Sequence, residues 1–263
     1  MITHTKRINP TQEQRRILAK ICAYEGPRTY LLSFPRSGNT WVRYCLEFLT
    51  QRPTIPRRRT HLHLHDFQHG HPLAWNTTFK IDEDKVLIEK IHRPDETTID
   101  HRDNKKISLN RDTDMLLFIL RNPKESITCA EYATFTEFLD AGWKGYCEHR
   151  VYFENLMFFD AWPADRRHLI YYEDLIAKPR ETLAAILEFL QEPDTRLDQF
   201  MHDYQHHKET CLAIYPKPIS RGNDPLFHSK KLSIAFRKKV DAWIAYAYPE
   251  LWEKYLWRYT EQI

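Results

Sequence analysis

Glycine is scarce in this chain, with six among 263 residues, and there is neither a Gly/Ser-rich stretch nor an internal repeat. Without such a linker there is no natural place to divide the sequence, so a single domain is expected over residues 1–263, with its core at about 29–245. Cysteine is present but unpatterned: Cys22, Cys45, Cys129, Cys147 and Cys211 are odd in number and scattered. No C-x-x-C pair occurs, which excludes a disulfide framework and zinc-finger spacing and reads as reduced intracellular thiols. Charge of one sign is also lacking, because 39 basic and 36 acidic side chains leave a net charge of only +3. No global field calls for a nucleic acid or a membrane surface, so any anion binding must be local. Long apolar runs are missing too. The N-terminus has no apolar signal core, and MLLFIL (115–120) and AWIAYAY (242–248) are far too short to span a bilayer. A cytoplasmic protein without a membrane span is the expectation.

What is present is enough for a packed interior, since apolar residues make up 42% and aromatics 13%. Four short apolar segments read as fully buried strands: TYLLSF (29–34), VLIEKI (86–91), MLLFIL (115–120) and HLIYY (168–172). Helical spacing marks 11–23, where Thr11 is a plausible N-cap, and then 41–49, 124–139, 145–162 and 179–190. The last of these has Pro179 in its first turn and an apolar stripe of Leu183, Ile186, Leu187 and Leu190. Strands alternating with helices predict an α/β fold, a central parallel sheet flanked by helices. Ligands on such sheets bind at the carboxyl ends of the strands, so the residues just after each apolar run are where chemistry is to be sought.

The first run leads into SFPRSGNTW (33–41). A turn at Ser37-Gly38 with a helix starting near Asn39 aims backbone N–H groups and the positive end of the helix dipole at one spot, a setting for an oxyanion. Arg36 adds a permanent charge and a forked donor; Ser37, Asn39 and Thr40 add neutral donors; Trp41 offers a flat face to a base. An ordinary capped strand-to-helix turn has the same local chemistry. The loop is not a Walker A motif, because only Gly38 is present and no Lys precedes Thr40.

FPRSGNTW resembles the phosphosulfate-binding loop of the sulfotransferases that use 3'-phosphoadenosine 5'-phosphosulfate (PAPS), approximately Tyr/Phe-Pro-Lys/Arg-Ser-Gly-Thr/Asn-Thr/Ser-Trp. Later strand ends resemble the same family in the same order. Lys90-Ile91-His92-Arg93-Pro94 is similar to its Lys-Thr-His-x-Pro segment. The resemblance implies His92 as general base on an acceptor hydroxyl or amine, with Lys90 and Arg36 neutralising charge on the sulfuryl group. RNPKESITCAEY, from Arg121, resembles the 3'-phosphate segment, which implies that Arg121 holds that phosphate. The Ser expected eight residues on is Cys129, a much poorer donor, with Ser126 and Thr128 as nearby candidates. Tyr172 takes the position of the family's adenine-contacting tyrosine in Tyr-Glu-Asp-Leu, and Arg221 and Gly222 stand where the family's Arg-Lys-Gly loop closes over the 3'-phosphate. Cations at a helix start, here Arg121 and Lys124, oppose the helix dipole unless an anion is nearby.

The resemblance implies a P-loop-like three-layer architecture, with PAPS as cofactor, 3'-phosphoadenosine 5'-phosphate (PAP) as its product, a small-molecule, glycan or peptide acceptor, no nucleic acid and no metal. Two other readings remain open in the sequence, a nucleotide-binding scaffold without activity and a kinase-like phosphoryl transferase. Two features fall outside the pattern. THLHLHDFQHGH (60–71) places His61, His63 and His65 on one face if extended, with His69 and His71 behind; an acceptor-site or pH-sensitive segment, a zinc site and a plain surface strand are all compatible with it. RPTIPRRRT (52–60) lacks the interleaved aromatics of a single-strand nucleic-acid platform and reads as a solvated basic face.

Overall fold

The computed structural model describes residues 26–50, 52, 54–56, 61–63, 78–80, 88–92, 109–130, 147–214 and 232–261. The helix expected at 11–23, the residues Arg93, Pro94, Arg221 and Gly222, and the histidines His65, His69 and His71 lie outside them.

The apolar runs pair as one parallel sheet. Its strands are β1 (Thr29–Ser33), β2 (Thr54–Pro56), β5 (Ile88–Ile91), β6 (Met115–Leu120) and β7 (Arg167–Tyr171), in the order β2-β5-β1-β6-β7. A separate antiparallel hairpin pairs β3 (His61–His63) with β4 (Thr78–Lys80), His61 opposite Lys80. Successive strand side chains point to opposite faces, and both faces of the sheet are covered, which is why the runs are continuously apolar rather than alternating. Leu31, Leu117 and Ile119 pack on one side with α1 (Asn39–Thr50), through Val42, Cys45, Leu46 and Leu49, and with α5 (Pro179–Phe189), through Leu183, Ile186 and Leu187. Tyr30, Leu32, Leu116, Phe118 and Leu120 pack on the other with α3 (Cys147–Asp160) and α8 (Ile234–Ala247). Further helices among the described residues include α2 (Pro123–Ala130), α4 (Tyr172–Ala177), α6 (Leu197–His202) and α7 (Tyr204–Ile214). This is the expected three-layer, P-loop-like α/β architecture.

Some segments differ from the sequence expectation. Among the described residues the start of the basic run is an edge strand and not a solvated face, while Arg57, Arg58 and Arg59 lie outside them: Thr54 is fully buried, its hydroxyl and carbonyl accepting from Arg43 at 2.7 and 3.0 Å and its N–H donating to Glu47 at 2.9 Å. Three residues with a proline are too short for any periodicity, and an edge is where a sheet tolerates Pro56. HLIYY also ends a residue early as a strand, since Tyr172 opens α4.

The register levels the strand ends. Leu32 lies opposite Ile91, Ser33 opposite Ile119 and Leu120 opposite Tyr171, so the residues after β1, β5, β6 and β7 emerge side by side.

Candidate functional site

Chain leaves β1 through a tight turn in which the Ser37 N–H donates to the Phe34 carbonyl at 3.2 Å. Arg36 holds φ at 68° and Gly38 at 97°. A positive φ is costly for a residue with a Cβ and marks Arg36 as held there by its surroundings. At Gly38 the reason is also steric: a Cβ would run into the ring of Tyr172, so glycine lets the turn and the start of α4 touch. Helix α1 then begins at Asn39, whose Nδ2 donates to Ser33 Oγ at 3.3 Å. Ser37 is fully buried, and its Oγ has no hydrogen-bond partner among the described residues.

Arg121, directly after β6, reaches across to this loop. Its Nη1 donates to the Arg36 carbonyl at 2.7 Å, its Nη2 lies 3.5 Å from Glu125, and its guanidinium carbon sits 4.8 Å from the centre of the Tyr172 ring. Its Nε is buried without a partner among the described residues. The Tyr152 hydroxyl, from α3, donates to the Arg121 carbonyl at 2.7 Å.

His92, directly after β5, places Nδ1 at 2.8 Å from the Ser33 carbonyl. A carbonyl only accepts, so Nδ1 carries the proton and, in the neutral ring, Nε2 holds the lone pair. Asn155, on α3, donates from Nδ2 to the His92 carbonyl at 2.9 Å. Lys90 is half-buried on β5, paired in register with Leu31.

The arrangement therefore brings Arg36, Ser37, Gly38, Arg121 and Tyr172 into one contiguous group, with His92 joined to it through Ser33. Thr40 lies in the first turn of α1 with its hydroxyl 3.5 Å from Asn39 Oδ1. Trp41 is placed differently: its ring stacks on Tyr44 at 5.6 Å and meets Tyr204 edge-on at 5.6 Å, in the aromatic cluster beside α6 and α7. One face of the indole is thus already covered.

Several polar residues near the site serve the fold. Lys124 is fully buried, with Nζ donating to Asp241 at 2.5 Å and to the Tyr259 carbonyl at 2.6 Å. The charge at the start of α2 is answered by a carboxylate of the protein itself, which corrects the reading of Lys124 as a sign of a bound anion. Ser126 is likewise buried, its hydroxyl donating to the Asn122 carbonyl at 3.2 Å. The side chains of Thr128 and Cys129 lie outside the described residues. Asn122 caps α2, its Oδ1 accepting from the Lys124 N–H at 3.0 Å. Glu173 accepts from the Asn122 N–H at 3.0 Å and from the Tyr259 hydroxyl at 2.7 Å; burial pushes its carboxyl above the ordinary value against those bonds. Asp174 is held below its ordinary value, first by its hydrogen bonds from Arg258.

Tyr152 and Asn155 escaped the sequence reading. Their signal is an Asn three residues after a Tyr inside the apolar run of α3, and it has meaning only once the strand ends they bond are known. Among the described residues no cluster of His, Cys, Asp or Glu is arranged to hold a metal ion, and no helix is long and apolar enough to cross a membrane. Cys45 and Cys211 are buried and free, and burial pushes the Cys211 thiol up to about 12.

A family model described as the sulfotransferase domain matches residues 27–210. Solved structures similar to this chain include retinol dehydratase in complex with androsterone and inactive cofactor PAP, with a TM-score of 0.55 at 14% identity over 88% of this chain and 84% of that one. Retinol dehydratase in a complex with retinol and PAP aligns with a TM-score of 0.54 at 13% identity over 88% and 85%. Mouse sulfotransferase SULT7A1 complexed with PAP aligns at 0.45 and 14% over 81% and 76%. No curated protein matches the sequence.

Proposed function

The chain belongs to the sulfotransferase domain family, and from that premise we propose that it moves a sulfuryl group from PAPS to a hydroxyl or amine acceptor, with His92 as general base. The observation that carries this reading is the convergence of four strand ends: the Arg36–Gly38 turn, His92, Arg121 and Tyr172 meet at the carboxyl end of the sheet.

The residues fit the donor. Ser37 Oγ and Arg121 Nε are buried polar atoms without partners among the described residues, near the start of α1 and the Arg36 turn that Arg121 braces, and such unmet donors suit phosphate and sulfate oxygens. Arg36, Ser37, Gly38, Asn39 and Thr40 would hold the 5'-phosphosulfate end, Arg121 the 3'-phosphate, and Tyr172 and Trp41 the base, with Arg221 and Gly222 proposed to close over the 3'-phosphate. PAPS, when bound, supplies an activated sulfuryl group with PAP as its leaving group. With Nδ1–H committed to the Ser33 carbonyl, the Nε2 lone pair of His92 accepts the proton of the acceptor hydroxyl. Lys90 and Arg36 stabilise negative charge as it shifts toward the departing side.

Androsterone and retinol, named with PAP in the structures of retinol dehydratase, make an apolar alcohol the first acceptor class to try. Calorimetry with PAP, adenosine 5'-phosphate and ATP is the first test, and tight binding only of PAP is expected. Transfer of labelled sulfate from PAPS is then measured against a panel of a phenol, a steroid alcohol, an aliphatic alcohol, a sugar and an amine. In His92→Gln, transfer is expected to vanish with PAP affinity retained; wild-type turnover in that variant sinks the base assignment.

A further inference from the structure

Helix α3 clamps two strand ends with two side chains one turn apart. Tyr152 bonds the Arg121 carbonyl and Asn155 the His92 carbonyl, at 2.7 and 2.9 Å. Both lie on the face of α3 that packs into the sheet, among Val151, Phe153, Leu156 and Phe159. Asn155 is fully buried, and because the His92 carbonyl can only accept, its Nδ2 is fixed as the donor. That leaves Oδ1 pointing into the interior, where it has no partner among the described residues.

A half-satisfied amide in an apolar environment is worse for folding than a leucine of similar volume. Its one hydrogen bond is therefore the thing to explain. The strand register runs to Ile91, opposite Leu32, and His92 is the first residue beyond β5. Bonds from two different elements meet at this residue: the imidazole bonds the Ser33 carbonyl on β1, and its own carbonyl accepts from Asn155 on α3. We propose that Asn155 is a positioning residue that fixes the main chain of His92 and, through it, the direction of the Nε2 lone pair. This rests on the reading of His92 as the base.

Asn155→Leu in the full chain tests it, with Asn155→Ala as the second variant should leucine not fold. Long-range 1H–15N spectra of the histidine rings report the tautomer of His92 without any ligand, its signals assigned by their loss in His92→Gln. Asn155→Leu is expected to melt no lower than wild type and to bind PAP within about twofold, while the Nδ1–H tautomer of His92 becomes mixed. Transfer from labelled PAPS to the acceptor panel should fall in kcat by roughly tenfold to a hundredfold with KM little changed, the size expected for a misaimed catalytic group. If His92→Gln is inactive yet both Asn155 variants keep the wild-type kcat, positioning fails and the base reading stands. If His92→Gln turns over normally, both fail. A fall in kcat with the His92 signals unmoved, or one that only tracks a loss of melting temperature, also overturns the proposal.

Discussion

Arg121 donates from its guanidinium to the main-chain carbonyl of Arg36 at 2.7 Å, so a charged side chain at the end of β6 braces an arginine whose backbone is left-handed. The same guanidinium lies 4.8 Å from the Tyr172 ring centre, and that ring abuts Gly38. Loop, cation and aromatic ring therefore form one unit, and a change in any of them should be felt by the others.

Replacing Arg121 by Lys keeps the charge but removes the fork that serves Arg36, Glu125 and the remaining Nε at once. We expect PAP affinity to fall on the order of tenfold or more, with a smaller loss for adenosine 5'-phosphate, which has no 3'-phosphate. Calorimetry with both nucleotides decides the matter. Equal losses would mean that Arg121 only braces the loop.

Gly38→Ala meets two obstacles, a φ of 97° and the Tyr172 ring. The backbone term alone costs about 1–2 kcal/mol, and relieving the collision must move either the ring or the turn. The expected result is a melting point lower by several degrees together with at least a tenfold loss of PAP affinity. Normal PAP binding in this variant would show that the contact between Gly38 and Tyr172 is not needed for the site.

Lys124 separates stability from ligand binding. Truncation to Ala leaves Asp241 buried without its partner, which typically costs about 3–5 kcal/mol. The double change Lys124→Met with Asp241→Leu removes both charges and should recover most of that loss, as seen by chemical denaturation. Since Lys124 is fully buried, the double variant should bind PAP like wild type. Weakened PAP binding in a folded double variant would restore a ligand role to Lys124.

The contrast between Lys124 and Arg121 shows what the sequence could convey. Both follow the same strand and both are cations near the start of α2, yet only one faces the loop. The other meets Asp241 across 117 positions of chain, and no local pattern carries that pairing. The strands were legible because two-sided burial demands unbroken apolar runs such as TYLL and MLLFIL, and SFPRSGNTW because its turn needs residue types that are rare together. Edge strand β2 has no such demand on its composition. Asn155 was hidden for the opposite reason: within the helical pattern of α3 it is an unremarked polar residue, and its meaning lies in the His92 carbonyl, 63 positions away.

Adjacent carboxylates give the last prediction, because Glu173 and Asp174 should respond to pH with opposite sign. Glu173 is pushed up by burial, opposed by bonds from Asn122 and Tyr259, whereas Asp174 is drawn down, first by Arg258. A carboxyl whose folded value is raised contributes stability that is fully present below its unfolded value, roughly 4.3 for Glu, and is lost as pH rises through the folded one. Against wild type, Glu173→Gln should therefore gain in melting temperature from pH about 4 upward and then level off. Asp174 contributes stability present above its unfolded value, roughly 3.9, and lost as pH falls through the lower folded one. Asp174→Asn should melt below wild type by a constant amount at neutral pH, the two converging in acid. Melting curves of the three proteins from pH 3 to 8 (roughly the range over which carboxylates titrate) make the comparison, since other groups cancel between variant and wild type. A Glu173→Gln difference that does not change with pH would mean that the bonds from Asn122 and Tyr259 offset the burial of the carboxylate in full, and that Glu173 braces the Arg121 turn as an anion without cost.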